Sequence, residues 1–513
     1  MPGGGSNLDV VGCCDDEGLT FVLTHQETSA AIMAGVAGEL TGAPGVALAT
    51  RGPGAASAVN GVANALLERA PMLMITDCVI EADAERVSHQ RLDQQALLGT
   101  VALDSVRLSS TNQQDLQSLV ADTLVQPPGP IHIDIDPTSP ELRRTARSVP
   151  SVTHQGDWQA LLSRAERPVL IVGVGILTSG PRMSGQRVAE LNSLAGQLHV
   201  PVLTTYKARG VVPDGAEYSA GIVTGGVTEA DLLSQADLII GVGLDPVELL
   251  PTSWPYRAPM ILVNSWEVRD SSFFGASVAA QITGDIAEAL AAIGPQMRST
   301  WPSGAGAGHW QTLVAAARST VDVEGTGLIP STVIDMAAQA FPRGSIATVD
   351  AGAHMLVAMP LWPVDEPHRV LISSAHATMG FAIPASIAAS LIHPERRVIA
   401  FTGDAGLGMV LGELETIRRL DLPICVIVFN DSSLSLIAVK QRPLDQGGER
   451  AFRYGPIDFA RIAEGCGLRG VRAESVEAYE AALREAQDSK APILIDVIVD
   501  PRHYSAIYPA LRG

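Results

Sequence analysis

The stretch that most restricts the fold is RVIAFTGDAGLGMVLGELETIRRLDLPICVIVFNDSS, residues 397 to 433. An apolar run ends at Thr402, a Gly403-Asp404-Ala405-Gly406 turn follows, and a second apolar run ends at Phe429. Between them Leu407, Val410, Leu411, Leu414 and Ile417 recur at the spacing of one packed helical face. A strand-helix-strand unit crosses over right-handed and sets its strands parallel. Asp404 and Asn430-Asp431 therefore leave the same carboxyl edge of one sheet. Gly403 and Gly406 let the backbone approach a ligand, and N–H groups opening the helix favour an anion. Oxygen ligands beside an anion suit Mg²⁺ bridging to a diphosphate, because Mg²⁺ takes one or two carboxylates and completes its shell with phosphate oxygens. An Asp N-cap with an Asn-Asp turn accounts for the same residues without a metal. The local pattern leaves both readings standing.

The same alternation fills the chain. FVLTHQ, GVALAT, PMLMITD and PIHIDI read as strands, with helices from about Thr28 and after Gly54. Strands at RPVLIVGVGI, VPVLTTY, ADLIIGVGL and PMILVNS begin a second block. A linker is expected after Pro137, and a second break where Gly, Pro, Ser and Ala crowd between Pro295 and Gly308. The expectation is α/β architecture in three doubly wound, mainly parallel-sheet domains, over residues 1–142, 155–295 and 312–513. A chain of 513 residues is too long for one core, which agrees with that count.

Composition removes several function classes. The formal charge is −20, and lysine occurs only at 207, 440 and 490, so no basic stripe is available for a phosphate backbone and no nucleic-acid partner is expected. No apolar run reaches the roughly 20 residues of a membrane span, and the N-terminus lacks the features of a secretion signal. The five cysteines form no C-x-x-C pair, which reads as reduced thiols in a cytoplasmic protein.

With these residues in place, GDAG…ND resembles the cofactor signature of the thiamine-diphosphate enzymes, and the likeness, closest to the acetolactate synthase group, runs over nearly the whole chain. It implies pyrimidine-binding, central and diphosphate-binding domains in that order. It puts Gly403, Asp404, Ala405, Gly406, Asn430 and Asp431 at the cofactor, with Asp404, Asp431 and the main-chain carbonyl of Ser433 as Mg²⁺ ligands. Two positions depart from the family pattern: Ala405 stands for a glycine, and Asp431 for an asparagine that it replaces with another oxygen ligand.

The resemblance also implies that Glu27, in THQETSAA, hydrogen-bonds N1′ of the aminopyrimidine and so promotes removal of the cofactor's C2 proton. In SSAHATMGFAIPAS, Met379 would be the apolar wedge that bends the cofactor, and the Ala377 carbonyl would accept from its 4′-amino group. His354 would contact the diphosphate, and Pro53 belongs to the family's Gly-Pro-Gly active-site turn. Gly4, Gln90, His376 and Lys440 are candidates for the substrate pocket. Because Glu27 and the diphosphate site lie on different domains, and in the family on different subunits, a homodimer is required; pairing of dimers into tetramers stays open. Family members carry a helix and a first strand before the Pro-Gly-Gly loop that begins here at Pro2, so the first domain is expected without them.

The implied reaction is decarboxylation of a 2-oxo acid such as pyruvate followed by carboligation of the acetolactate type. A 2-oxo-acid decarboxylase without carboligation and a non-catalytic cofactor-binding relative are the alternatives. Neither GVGILTSG nor GVGLD forms G-x-G-x-x-G, so NAD is not expected. FAD stays open by family analogy and is not predicted.

Overall fold

A computed structural model of the chain describes residues 5–79, 88–108, 113–136, 146–225, 227–249, 254–322, 325, 327–440 and 448–512. Three sheets follow one another along it. The first contains β1 (Gly45–Ala49), β2 (Met72–Asp77), β3 (Asp104–Leu108) and β4 (Pro130–Ile135), all parallel, in the order β1-β2-β4-β3. The second contains β5 (Thr153–Gln155), β6 (Pro168–Val172), β7 (Val202–Thr204), β8 (Ser219–Ile222), β9 (Leu238–Val242), β10 (Met260–Asn264) and β11 (Val278–Thr283). Its order is β5-β11-β10-β9-β6-β7-β8, parallel except for β5 against β11. The third contains β12 (Ile346–Val349), β13 (Val370–Ile372), β14 (Val398–Gly403), β15 (Ile424–Asn430), β16 (Arg469–Ala473) and β17 (Ile493–Ile498), all parallel, in the order β13-β12-β14-β15-β17-β16. The expected α/β architecture with mainly parallel sheets is present.

Strand β15 is buried along its whole length, as a central parallel strand covered on both faces must be. The crossover helix between β14 and β15 is divided into Asp404–Met409 and Glu413–Arg419, and Leu407, Val410, Leu414 and Ile417 all face the core. Three helices open the chain: α1 (Gly5–Asp16), α2 (Glu27–Thr41) and α3 (Pro53–Leu67). Ile32, Met33, Val36 and Leu40 of α2 pack into the same core as Ile383 and Ile387 of the C-terminal unit, so the first and third sheets are held by shared apolar burial.

Two expectations are corrected. FVLTHQ is not a strand: residues 21–26 join no sheet, and Phe21 and Leu23 are exposed. A strand needs neighbours for its donors, and here the N–H groups of His25 and Gln26 donate instead to Glu413 Oε1 at 3.1 and 3.2 Å. The break expected through Gly308 is also overridden. A helix starts at Ala305 and continues to Ala317, so it spans the boundary expected at 312 and packs on β8. Alanines between the glycines favour helix, and Leu313 and Ala317 supply a fully buried face.

Candidate functional site

In the third sheet the strand order reverses between β12 and β14, and ligands of such sheets bind in the crevice outside the carboxyl ends at that reversal. The chain leaving β12 is Asp350-Ala351-Gly352-Ala353-His354, and the chain leaving β14 begins at Asp404. A cavity of about 390 Å³ opens between them. It brings together ten of the expected residues. His354, Ala377 and Met379 line one part; Gly403, Asp404, Ala405 and Gly406 a second; Asp431, Ser433 and Lys440 a third. Leu434, Ile437, Tyr504 and Tyr508 give it apolar walls.

The parallel register of β14 and β15 pairs Gly403 with Phe429, so Asp404 and Asp431 emerge side by side. The N–H groups of Asp431 and Ser432 donate to Asp404 Oδ2 at 3.2 and 2.7 Å, while the Ala405 N–H and the Tyr454 hydroxyl donate to Oδ1 at 2.8 and 2.5 Å. Asp431 Oδ2 accepts from the Ser435 hydroxyl at 2.7 Å, but its buried Oδ1 has no hydrogen-bond partner. Burial, with the negative charge of Asp404 beside it, pushes the Asp431 carboxyl up to about 7. Two neighbouring carboxylates with an unsatisfied oxygen are what a cation would relieve. Among the described residues no cluster of three or more His, Cys, Asp or Glu side chains surrounds a point that could hold a metal. The set present thus fits Mg²⁺ completed by ligand oxygens rather than an all-protein cage.

His354 stacks on Phe429 with ring centroids 5.5 Å apart, and its buried Nε2 has no hydrogen-bond partner. Burial lowers the imidazole to about 4, so it is neutral near pH 7. Close approach is secured by small residues: a Cβ at Gly406 would lie 2.3 Å from Asp350 Oδ2, and one at Gly403 would lie 3.4 Å from the His354 ring. Ala405 sits in the helix Asp404–Met409 with ordinary helical backbone, so its methyl costs the turn nothing.

Other expected residues lie elsewhere. The Asn430 amide points away and donates to Asp496 Oδ1 at 2.8 Å and to the Ile457 carbonyl at 2.9 Å. His376 does not line the cavity; its Nε2 pairs with Asn60 Oδ1 at 3.0 Å. Pro53 is the exposed first residue of α3, and Gln90 is exposed with a positive φ of 61°. Gly4 lies outside the described residues. Glu27, first residue of α2, is buried and has no hydrogen-bond partner among the described residues. A Cβ on Gly54 would lie 3.4 Å from its Oε1. Among the described residues of the first sheet's domain, Glu27 included, none lines this cavity.

Two residues of the site were not singled out from sequence. Asp350 is fully buried and ties the site together: Oδ1 accepts from the Phe381 and Ala382 N–H groups at 2.7 and 3.2 Å, and Oδ2 from the Thr402 hydroxyl at 2.7 Å. A carboxylate directly after a strand in VDAGAHML was the available signal. Tyr454 carries no local signal, because its role depends on a contact fifty positions away.

The second sheet has its own order reversal, between β6 and β9. There the Val174 N–H donates to Glu248 Oε2 at 2.9 Å and the Thr205 hydroxyl to Oε1 at 2.6 Å. The Val174 N–H at this reversal is thus taken by a carboxyl group of the chain itself.

Comparison with known proteins gives the same three-part division. Residues 2–97, 157–293 and 350–497 match the N-terminal TPP binding domain, the central domain and the C-terminal TPP binding domain of thiamine pyrophosphate enzymes. The chain is 27% identical to the acetolactate synthase of Bacillus subtilis (strain 168), covering 97% of this chain and 89% of that protein. It is 27% identical to the catabolic acetolactate synthase of Raoultella terrigena over 95% of this chain and 89% of the relative. Acetolactate synthase isozyme 1 large subunit of Escherichia coli (strain K12) is 26% identical, with 96% and 88% covered.

Proposed function

The chain belongs to the thiamine pyrophosphate enzymes, and on that footing we propose that it is an acetolactate synthase-type carboligase. It decarboxylates a 2-oxo acid such as pyruvate and joins the remaining fragment to a second 2-oxo acid. The observation that carries the site assignment is the convergence of Asp404 and Asp431, with an unbonded Asp431 oxygen, on a cavity at the order reversal of the third sheet. Residues on the cavity wall suit the cofactor: Asp404, Asp431 and the Ser433 carbonyl would hold Mg²⁺ against the diphosphate, and His354 Nε2 is left for a phosphate oxygen. The Ala377 carbonyl and Met379 would face the aminopyrimidine. When bound, the cofactor supplies a thiazolium that accepts the electron pair released as CO₂ leaves.

Glu27 would hold N1′ of the pyrimidine. Its carboxylate, buried at the first position of α2 and without a hydrogen-bond partner among the described residues, favours this reading over a non-catalytic binding protein, since a purely structural cofactor site has no need of an activating carboxylate. A second copy of the chain would present Glu27, together with Pro53 and Gln90, to the cavity, and the working unit is then at least a homodimer. Lys440 on the wall would draw in the substrate carboxylate. Among the described residues no helix is long and apolar enough to cross a membrane, and with five free cysteines a cytoplasmic location fits.

The test is incubation of purified protein with thiamine diphosphate, Mg²⁺ and pyruvate, assaying CO₂, acetolactate and acetaldehyde together. Acetolactate supports the carboligase; CO₂ matched by acetaldehyde would replace it with a simple decarboxylase.

A further inference from the structure

The segment 372–379 runs from the end of β13 to Met379 and forms the wall between two cavities. Ala377 faces both the site above and a second cavity between the central and C-terminal sheets, which Ser373 and Ser374 also line. Its backbone is not relaxed: Ala377 has a φ of 52°, a left-handed conformation that a residue with a Cβ adopts only when its surroundings impose it. Something outside the segment must hold it.

The holder is one face of α3. Asn60, Asn64 and Glu68 are spaced i, i+4, i+8 and stand in one row along that helix and its C-terminal cap. Asn60 Nδ2 donates to Thr378 Oγ1 at 2.7 Å, while Asn60 Oδ1 pairs with His376 Nε2 at 3.0 Å. Asn64 Oδ1 accepts from the Ser373 hydroxyl at 2.7 Å, and Ser373 Oγ in turn accepts from the Thr378 N–H at 3.0 Å. Glu68 Oε1 accepts from the Ala375 and His376 N–H groups at 2.8 and 3.3 Å. Behind it Lys207, on the loop after β7, reaches Glu68 Oε2 at 3.3 Å and Glu39 Oε1 at 2.7 Å, and donates to the Ile372 carbonyl at 3.3 Å. Asn64, Glu68 and Lys207 are buried, so these bonds work in a low-dielectric setting where losing a partner is costly.

We propose that the Asn60-Asn64-Glu68 row, braced by Lys207, is a positioning device that fixes the strained Ala377 turn so that its carbonyl and Met379 meet the pyrimidine end of the cofactor. This rests on the reading of Ala377 and Met379 given above. The device joins all three sheets at one point: α3 from the first, Lys207 from the second and the turn itself from the third. It explains why the polar Asn64 and Glu68 occupy buried positions where apolar packing would otherwise serve.

The experiment titrates the full-length protein, with Mg²⁺ in excess, with thiamine diphosphate and separately with the thiazole diphosphate fragment that lacks the aminopyrimidine. Wild type is compared with Asn64→Ala and with Asn60→Ala, the latter at an exposed position that folding tolerates. Asn64→Ala is expected to bind the whole cofactor about tenfold more weakly, the worth of one buried hydrogen bond, and the exposed Asn60→Ala about threefold more weakly, while both bind the fragment within about twofold of wild type. The near-ultraviolet circular dichroism of the bound aminopyrimidine should fall in parallel. Unchanged cofactor affinity in both variants, or equal weakening of cofactor and fragment, overturns the proposal, because general damage to the fold weakens both ligands alike. Binding is read without turnover, so a wild-type protein that binds cofactor but leaves pyruvate untouched counts against the substrate assignment and still decides this one.

Discussion

The hydroxyl of Tyr454 donates to Oδ1 of Asp404 across 2.5 Å, and the Asp431 and Ser432 N–H groups hold the other oxygen of the same carboxylate. With the Ala405 N–H, which also donates to Oδ1, four donors orient one candidate metal ligand. Removing the hydroxyl by Tyr454→Phe keeps the ring and takes away a hydrogen bond to a charged group, worth about 1.5–3 kcal/mol. The expected outcome is thiamine diphosphate affinity lowered about tenfold or more at limiting Mg²⁺ and largely recovered at saturating Mg²⁺. Calorimetric titration at two Mg²⁺ concentrations checks this; identical affinities in wild type and variant would remove Tyr454 from the site.

Removal of metal should release the cofactor. Because Asp404 and Asp431 are the two carboxylates that face the proposed ion among the described residues, with the Ser433 carbonyl beside them, its remaining ligands must come from the diphosphate and water, and ion and cofactor bind together. Saturating both raises the apparent melting temperature by linkage, by about 2.7 kcal/mol of stability at a hundredfold excess over Kd. A chelator should erase that rise; a shift of equal size with cofactor alone would argue against the Asp404 and Asp431 ion site.

Glu248 gives stability a pH dependence with a definite sign. Burial pushes its carboxyl up to about 8 from 4.5, against the opposing hydrogen bonds from Thr205 and Val174. The folded state therefore holds a proton that the unfolded chain has lost between those pH values. Its contribution is fully present below pH 4.5 and is lost as pH rises toward 8, at up to about 1.4 kcal/mol per pH unit. Glu248→Gln cannot ionise, so denaturant midpoints measured from pH 5 to 8 should slope less for the variant. Parallel curves would show that Glu248 does not titrate in this window.

How much of this was legible in the sequence depends on how far apart the cooperating residues lie. The unit from Val398 to Asn430 declared itself because its helical period, its glycines and its two apolar runs are local, and right-handed crossover geometry does the rest. The expected residues that converge on the cavity nearly all follow a strand of the third sheet or sit in a turn against it. FVLTHQ looked like a strand because it is apolar, yet the donors of His25 and Gln26 are taken by Glu413, almost four hundred positions later. The helix at Ala305 was hidden by its glycines, whose cost is outweighed by tertiary burial of Leu313 and Ala317. Tyr454 on Asp404 and Asn64 on Ser373 were invisible for the same reason: each is a single polar contact between distant segments, and no local pattern announces it.

Activation of thiamine diphosphate through Glu27 is read most simply from exchange of the cofactor's C2 proton with solvent deuterium, followed by quenched-flow NMR on the Mg²⁺-loaded protein. Glu27 lies outside the cavity of its own chain, so the assay also reports whether assembly completes the site. The expected result is exchange at least about a hundredfold faster in the wild-type protein than for free cofactor, within the usual contribution of a positioned acid or base. In Glu27→Gln it should fall to nearly the free rate with cofactor binding retained. Exchange in the wild type no faster than in free solution, or equal exchange in wild type and variant, would show that Glu27 does not activate the cofactor.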